Sequence, residues 1–139
     1  MQTPEILGII AGNGVYPREL ALAARKSGVK KIVAAAFTGE TDPAISEQVD
    51  LVEWLRVGQL GRLLKFFREH KVRRAIMIKV AKPNQDMRFD VPVVGIETIK
   101  VATEAKLRVI AVEAGKTLLL ERAEVVDLAQ RARISIVAR

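Results

Sequence analysis

The chain has 139 residues, 50% of them hydrophobic, which is enough to build one compact domain with its own core. It contains no cysteine and a single histidine, so disulfides, thiol catalysis, cysteine-ligated zinc and histidine clusters are excluded. The formal net charge of +7 favours acidic partners, while an aromatic content of 4% offers few stacking surfaces and argues against a nucleic-acid-binding protein.

Two features of the sequence bear on where the protein works. No apolar run reaches the length of about 18 residues that a membrane span needs. Residues 1–5 lack the basic and apolar segments of a signal peptide. We therefore expect a cytoplasmic protein whose basic surface is attracted to an anionic membrane face. Homo-oligomer formation is left open.

The first half of the chain alternates short apolar segments with amphipathic ones. Gly12-Asn13-Gly14 follows the first apolar segment, and Pro17 then favours the start of a helix. The sequence predicts strands over 5–11, 31–37, 50–56 and 74–80, helices over 17–27 and 60–70, and a weak helical turn over 45–49.

The second half continues the same alternation after a charged loop. The predicted elements are helices over 97–106 and 122–131, strands over 108–112 and 134–137, and a short apolar segment over 116–120. Alternating strands and helices predict an α/β fold, with a mostly parallel sheet, helices on both faces and a Rossmann-like N-terminal half. No linker interrupts residues 1–139, so we expect one domain.

Two strand-to-helix turns are candidate binding segments. Glycines at Gly12 and Gly14, with Asn13 between them, would let backbone N–H groups approach a phosphate, although a plain tight turn fits the pattern as well. Gln59 follows the third predicted strand, where its side chain would reach a nucleobase or sugar at the same sheet edge. The alternative is that the glycines beside Gln59 serve only the turn.

A charged loop between two prolines carries the residues best suited to metal and phosphate. Asp86 and Asp90 offer hard oxygen ligands for Mg²⁺, and Lys79, Lys82 and Arg88 would neutralise phosphate oxygens beside the ion. The alternatives are a solvated loop with surface ion pairs and a structural pair between Arg88 and Asp90.

Other chemistry-bearing side chains have plainer interpretations. Thr117 and Glu113 flank a glycine after a predicted strand and would support the site or a simple turn. Trp54 lies on a predicted strand and is expected in the core rather than as a stacking platform. His70 is expected to be solvated at a helix end.

Four segments together resemble one protein family. Residues 79–95 read K-x-x-K-P-x-Q-D-x-R-F-D-x-P-x-x-G, residues 112–120 read VEAGKTLLL, residues 7–14 read LGIIAGNG and residues 58–62 read GQLGR. These motifs resemble the LpxI family, the UDP-2,3-diacylglucosamine pyrophosphatases of lipid A biosynthesis. The resemblance implies an N-terminal family half, 1–78, and a C-terminal family half, 79–139, with the middle region of the family missing between them. The two halves are then expected to share one sheet.

The resemblance also implies a reaction. It would be the Mg²⁺-dependent hydrolysis of UDP-2,3-diacylglucosamine to lipid X and UMP, with Asp86 as catalytic carboxylate, Lys82 and Arg88 beside it, and Asp86 and Asp90 as metal ligands. The implied substrate-binding residues are Gly12, Asn13, Gly14, Gln59, Lys79 and Thr117. A catalytically inactive nucleotide-binding or sugar-phosphate-binding domain, and a basic structural domain, are the alternatives.

Overall fold

The computed structural model describes residues 3–79 and 92–139, with Lys79 described by its backbone. The strands are β1 (Ile6–Ala11), β2 (Lys31–Phe37), β3 (Leu51–Leu55), β4 (Arg74–Lys79), β5 (Val93–Val94), β6 (Leu107–Val112), β7 (Leu118–Leu119) and β8 (Ser135–Ala138). The helices are α1 (Tyr16–Lys26), α2 (Leu60–Glu69), α3 (Ile96–Glu104), α4 (Arg122–Arg131) and a short 3-10 helix, Pro43–Glu47.

The main sheet has six strands in the order β3-β2-β1-β4-β6-β8, and all its pairs are parallel. The chain moves outward from β1 to β3 and then returns to place β4 on the other side of β1. This reversal is the strand order of a doubly wound, Rossmann-like sheet, which confirms the predicted fold class. Strands from before and after residue 78 lie in this one sheet.

Two separate cores cover the faces of the sheet, because successive side chains of a strand point to opposite faces. Ile9 of β1 and Ile32 of β2 lie in the cluster that includes side chains of α1 and the 3-10 helix. Their neighbours Ile10 and Val33 lie in the cluster that includes side chains of α2, α3 and α4. Both strands are therefore buried on both sides, as their continuous apolar runs predict.

The ends of the helices follow from local chemistry. Pro17 stands in the first turn of α1, where its missing N–H costs nothing, and Gly28 follows that helix with a φ of 91°. The same left-handed position after α2, α3 and α4 is occupied by Lys71, Lys106 and Arg133. A cation there interacts favourably with the negative end of the helix dipole, which offsets the strain of a non-glycine residue.

One carboxylate ties the beginnings of β2 and β3 to α1. Asp50 accepts hydrogen bonds from the backbone N–H of Ile32, at 2.6 Å, and from the guanidinium of Arg25, at 2.5 Å. Burial raises the pKa of Asp50, but the hydrogen bond from Ile32 and the charge of Arg25 outweigh it, so the pKa lies below its ordinary value.

The connection between β2 and β3 differs from the predicted helical turn at 45–49. It holds a 3-10 helix that begins earlier, at Pro43, because the Asp42 side chain accepts a hydrogen bond from Ala44 N at 3.0 Å and caps it. The strand β5 was not predicted. None of the helices among the described residues is long and apolar enough to cross a membrane.

Candidate functional site

The candidate site lies at the carboxyl edge of the sheet. Because the strands are parallel, the segments that follow them meet at one edge, and the crevice between β1 and β4, where the strand order reverses, is the usual ligand position in such folds. The segments at this edge are 12–15 after β1, 38–42 after β2, 56–59 after β3, Lys79 at the end of β4, and 113–117 after β6.

Gly12 lies against the backbone of β4. A Cβ atom at this position would lie 2.5 Å from the carbonyl oxygen of Ile78, closer than any real side chain comes to a carbonyl. Only glycine permits this contact, so Gly12 holds the turn after β1 next to the end of β4. Gly14 has a φ of 82°, which shapes the rest of the turn.

Pro92, the first described residue after segment 80–91, is held by the segment that follows β6. The Pro92 carbonyl accepts a hydrogen bond from Leu118 N at 2.8 Å, and β5 pairs in parallel with β7 just beyond. Thr117 precedes this contact. Its hydroxyl oxygen is buried and has no hydrogen-bond partner among residues 3–79 and 92–139. The described residues on the two sides of segment 80–91 therefore lie beside Gly12, at Ile78, and beside Leu118, at Pro92.

Several predicted site residues lie outside the described residues, and their roles remain predictions. They are Lys82, Asp86, Arg88, Asp90 and the side chain of Lys79. In the part of the chain that the structure describes, no group of three or more Asp, Glu or His side chains could hold a metal. The predicted metal ligands Asp86 and Asp90 lie outside the described residues, so the Mg²⁺ site stays a prediction.

The predicted binding residue Gln59 has a structural contact. Its side-chain oxygen accepts a hydrogen bond from Arg56 N at 2.8 Å and closes the turn between β3 and α2. This hydrogen bond supports the alternative interpretation, in which residues 58–61 serve only the turn. Only the amide nitrogen of Gln59 would then be available to contact a ligand.

A cation lies next to Thr117. Lys116 Nζ is 2.7 Å from a carboxylate oxygen of Glu113, and this hydrogen bond raises the pKa of Lys116 above its ordinary value. The ammonium therefore stays charged at neutral pH, paired with the Glu113 carboxylate.

A cleft of about 890 Å³ opens beside the Gly12–Gly14 turn. It is an open depression lined by the turn after β1, the loop after β2, the 3-10 helix and Trp54 of β3. The lining residues are Asn13, Gly14, Val15, Thr38, Gly39, Glu40, Thr41, Asp42, Pro43, Ser46 and Trp54. Trp54 packs on the core, as expected, yet it is only half-buried and also lines this cleft. The sequence signal that could have indicated this cleft is the short polar connection between β2 and β3. It holds too few residues to form a long helix that would cover this part of the sheet.

Hydrogen bonds fix the wall of the cleft. Buried Thr41 donates to the Ala11 carbonyl at 2.7 Å and accepts from Phe37 N at 2.9 Å, which ties the loop after β2 to the end of β1. Asp42 lies 3.2 Å from Arg18. The hydrogen bond from Ala44 N and the guanidinium of Arg18 hold the pKa of Asp42 below its ordinary value, so this carboxylate is ionised at neutral pH.

Comparison with known proteins gives the family. A model described as "LpxI C-terminal domain" matches residues 30–137, which is most of the chain. The chain belongs to the LpxI family. The match extends across the junction of residues 78 and 79, and the LpxI family is associated with lipid A biosynthesis. No curated protein sequence matches the chain significantly.

Solved structures show the same fold. The Bordetella bronchiseptica enzyme WbmG in complex with NAD is similar with a TM-score of 0.56 at 13% identity, covering 96% of this chain and 51% of that one. WbmG in complex with NAD and UDP gives a TM-score of 0.52 at 12% identity, with the same coverage. This chain spans about half the length of the solved structures that it matches, and the likeness concerns the fold alone.

Proposed function

We propose that the chain hydrolyses UDP-2,3-diacylglucosamine to lipid X and UMP at the carboxyl edge of its sheet. The observation that supports the proposal is the position of the two described residues that flank the segment with the LpxI-like aspartates: Ile78 lies against Gly12, and Pro92 is hydrogen-bonded to Leu118. Family membership supports the substrate class.

The geometry agrees with the needs of a diphosphate substrate. The turn at Gly12–Gly14 precedes the N-terminal end of α1, where backbone N–H groups and the helix dipole favour negative charge. Between β6 and β7 lie Lys116, paired with Glu113, and Thr117, whose buried hydroxyl has no hydrogen-bond partner among residues 3–79 and 92–139. A buried hydroxyl without a partner is costly, so a polar group that satisfies it is favoured. The similarity in fold to an enzyme solved with NAD and UDP is compatible with a uridine nucleotide here.

Magnesium belongs to the proposal through residues outside the described ones. Asp86 and Asp90 would hold the ion, which when bound would compensate the charge of the diphosphate. Lys82 and Arg88 would contact the phosphate oxygens. Lys79 is placed by its backbone at the end of β4, at the proposed site.

The test is release of UMP from UDP-2,3-diacylglucosamine, measured with Mg²⁺ and with EDTA. We expect turnover with Mg²⁺ and its loss with EDTA. Asp86→Asn should remove turnover and leave the fold intact, and Asp127→Asn is the matched control because Asp127 forms a surface pair with Arg131 on α4. Turnover that is equal in both Asp→Asn variants would rule out Asp86 as the essential carboxylate.

A second candidate function is non-catalytic binding of UDP-sugars. It needs only the turn after β1 and the cleft beside it, and no metal. Saturable binding of UDP without any release of UMP from the diacyl substrate would select this function.

A further inference from the structure

The cleft beside the Gly12–Gly14 turn has the size and lining of a nucleoside site. We propose, on the basis of the proposed function, that it holds the uridine of the substrate with the base against Trp54. Its volume of about 890 Å³ lies within the range of about 300–1,000 Å³ usual for small-molecule pockets.

The cleft exists because one face of the sheet is thinly covered. Between β2 and β3 the only helix among the described residues is the five-residue 3-10 helix Pro43–Glu47, which is too short to cover the outer strands. Trp54 is partly exposed and lines the cleft, and an indole beside an open volume is suited to contact with a base.

Charge sets the orientation of the ligand. The part of the cleft formed by the loop after β2 is lined by Glu40 and by Asp42, which is paired with Arg18, and the described lining residues include no lysine or arginine, so this part offers phosphate no favourable charge. Asn13 and Gly14 line the same cleft but belong to the turn after β1. The phosphates are therefore expected at this turn, and the ribose and base are expected inside the cleft.

The position also connects the nucleoside to the reaction. Gly12 contacts the carbonyl of Ile78, and the next two residues, Asn13 and Gly14, line the cleft. A nucleotide whose uridine lies in the cleft and whose phosphates cross this turn points toward the beginning of segment 80–91. The scissile diphosphate would then reach the residues proposed for catalysis.

Trp54 supplies a specific probe, since it is the only tryptophan in the chain. The intrinsic fluorescence of the full chain would be titrated with UMP, uridine, AMP and inorganic phosphate. We expect saturable changes with UMP and uridine and none with phosphate alone. A response to phosphate alone, tighter binding of AMP than of UMP, or no binding of UMP by fluorescence and calorimetry would overturn the assignment.

Two exposed residues of the 3-10 helix give a matched pair of variants. Ser46 lines the cleft and Glu47 does not, so Ser46→Phe should fill the site while Glu47→Phe leaves it open. We expect Ser46→Phe to weaken UMP binding at least about tenfold, since the ring occupies the ligand volume. Equal affinities for UMP in the two variants would refute the proposal.

Calorimetry on variants of Trp54 separates stacking from folding. Loss of a stacked base contact corresponds to a roughly 5- to 150-fold loss of affinity, so Trp54→Ala should weaken UMP binding by that factor and Trp54→Phe should restore most of it. If Trp54→Ala does not fold, the comparison of Ser46→Phe with Glu47→Phe decides alone.

Failure of this inference can be told from failure of the proposed function. Wild-type protein that binds UMP with these responses but releases none from UDP-2,3-diacylglucosamine would keep the cleft assignment and refute the hydrolysis. Protein that hydrolyses the substrate, with KM and UMP affinity unchanged in Ser46→Phe, would keep the hydrolysis and refute the cleft assignment.

Discussion

Replacing Gly12 by alanine tests the packing that joins β1 to β4 at the candidate site. The added Cβ would lie 2.5 Å from the Ile78 carbonyl oxygen, whereas ordinary contacts begin at 3.4 Å, so the two backbones must separate by about 0.9 Å. Gly12 directly follows β1 and Ile78 lies in β4, so the clash can be relieved only by moving backbone atoms.

Overpacking of this kind costs about 1–3 kcal/mol. In a chain of this size, each kcal/mol lost from the free energy of unfolding lowers the Tm by about 3–5 °C. We therefore expect Gly12→Ala to lower the Tm by roughly 3–15 °C. Thermal and urea unfolding followed by circular dichroism would measure the change in the free energy of unfolding.

Gly61→Ala is the matched control. Gly61 lies in α2, and nothing lies within 4 Å of a Cβ built there. Alanine should raise the free energy of unfolding by about 0.5–1 kcal/mol, because it is the better helix former. If Gly12→Ala were as stable as the wild type, the close contact with Ile78 and the anchoring argument built on it would be refuted.

Three further changes test the loop wall, the charge network and the catalytic loop. Thr41→Val should cost about 1–3 kcal/mol in urea unfolding, because the Ala11 carbonyl and the Phe37 N–H lose a buried partner, and Thr41→Ser should recover most of it. Asp50→Asn should lower the free energy of unfolding by about 1 kcal/mol at pH 7. Because the folded-state pKa of Asp50 is lowered, this contribution is present above about pH 4 and disappears as the pH falls through the folded pKa, so equal differences at pH 3 and pH 7 would contradict it. Asp86→Asn should lower kcat for UMP release by roughly 100-fold or more while UMP affinity stays within about twofold.

The fold could be read largely from local patterns. Continuous apolar runs, such as residues 31–37, predicted the strands, and segments with helical periodicity between glycine turns predicted the helices. The ends of these elements in the structure differ from the predicted ends by only a residue or two. Val93 and Val94 were missed as a strand, because two residues carry no period and their pairing with β7 is a tertiary contact.

The candidate site was only partly predictable. Parallel strands with glycine turns predicted that Gly12 and Gln59 would lie at one sheet edge, which the topology bears out, but no local signal showed that the Gln59 oxygen closes its own turn. The cleft at Trp54 was not predicted either. A half-buried tryptophan and a core tryptophan have the same sequence pattern, and the difference depends on how much of the sheet the next connection covers.

Residue order alone thus determined the alternation of strands and helices, the two buried faces of the central strands and the chemistry available in segment 80–91. Those properties follow from backbone preference and side-chain type, which act over a few residues. The tertiary structure decided which turns became neighbours. It placed Gly12 against Ile78, brought Pro92 beside Leu118 and opened the cleft at Trp54, because contacts between residues far apart in the chain depend on strand order and on the space left by neighbouring elements.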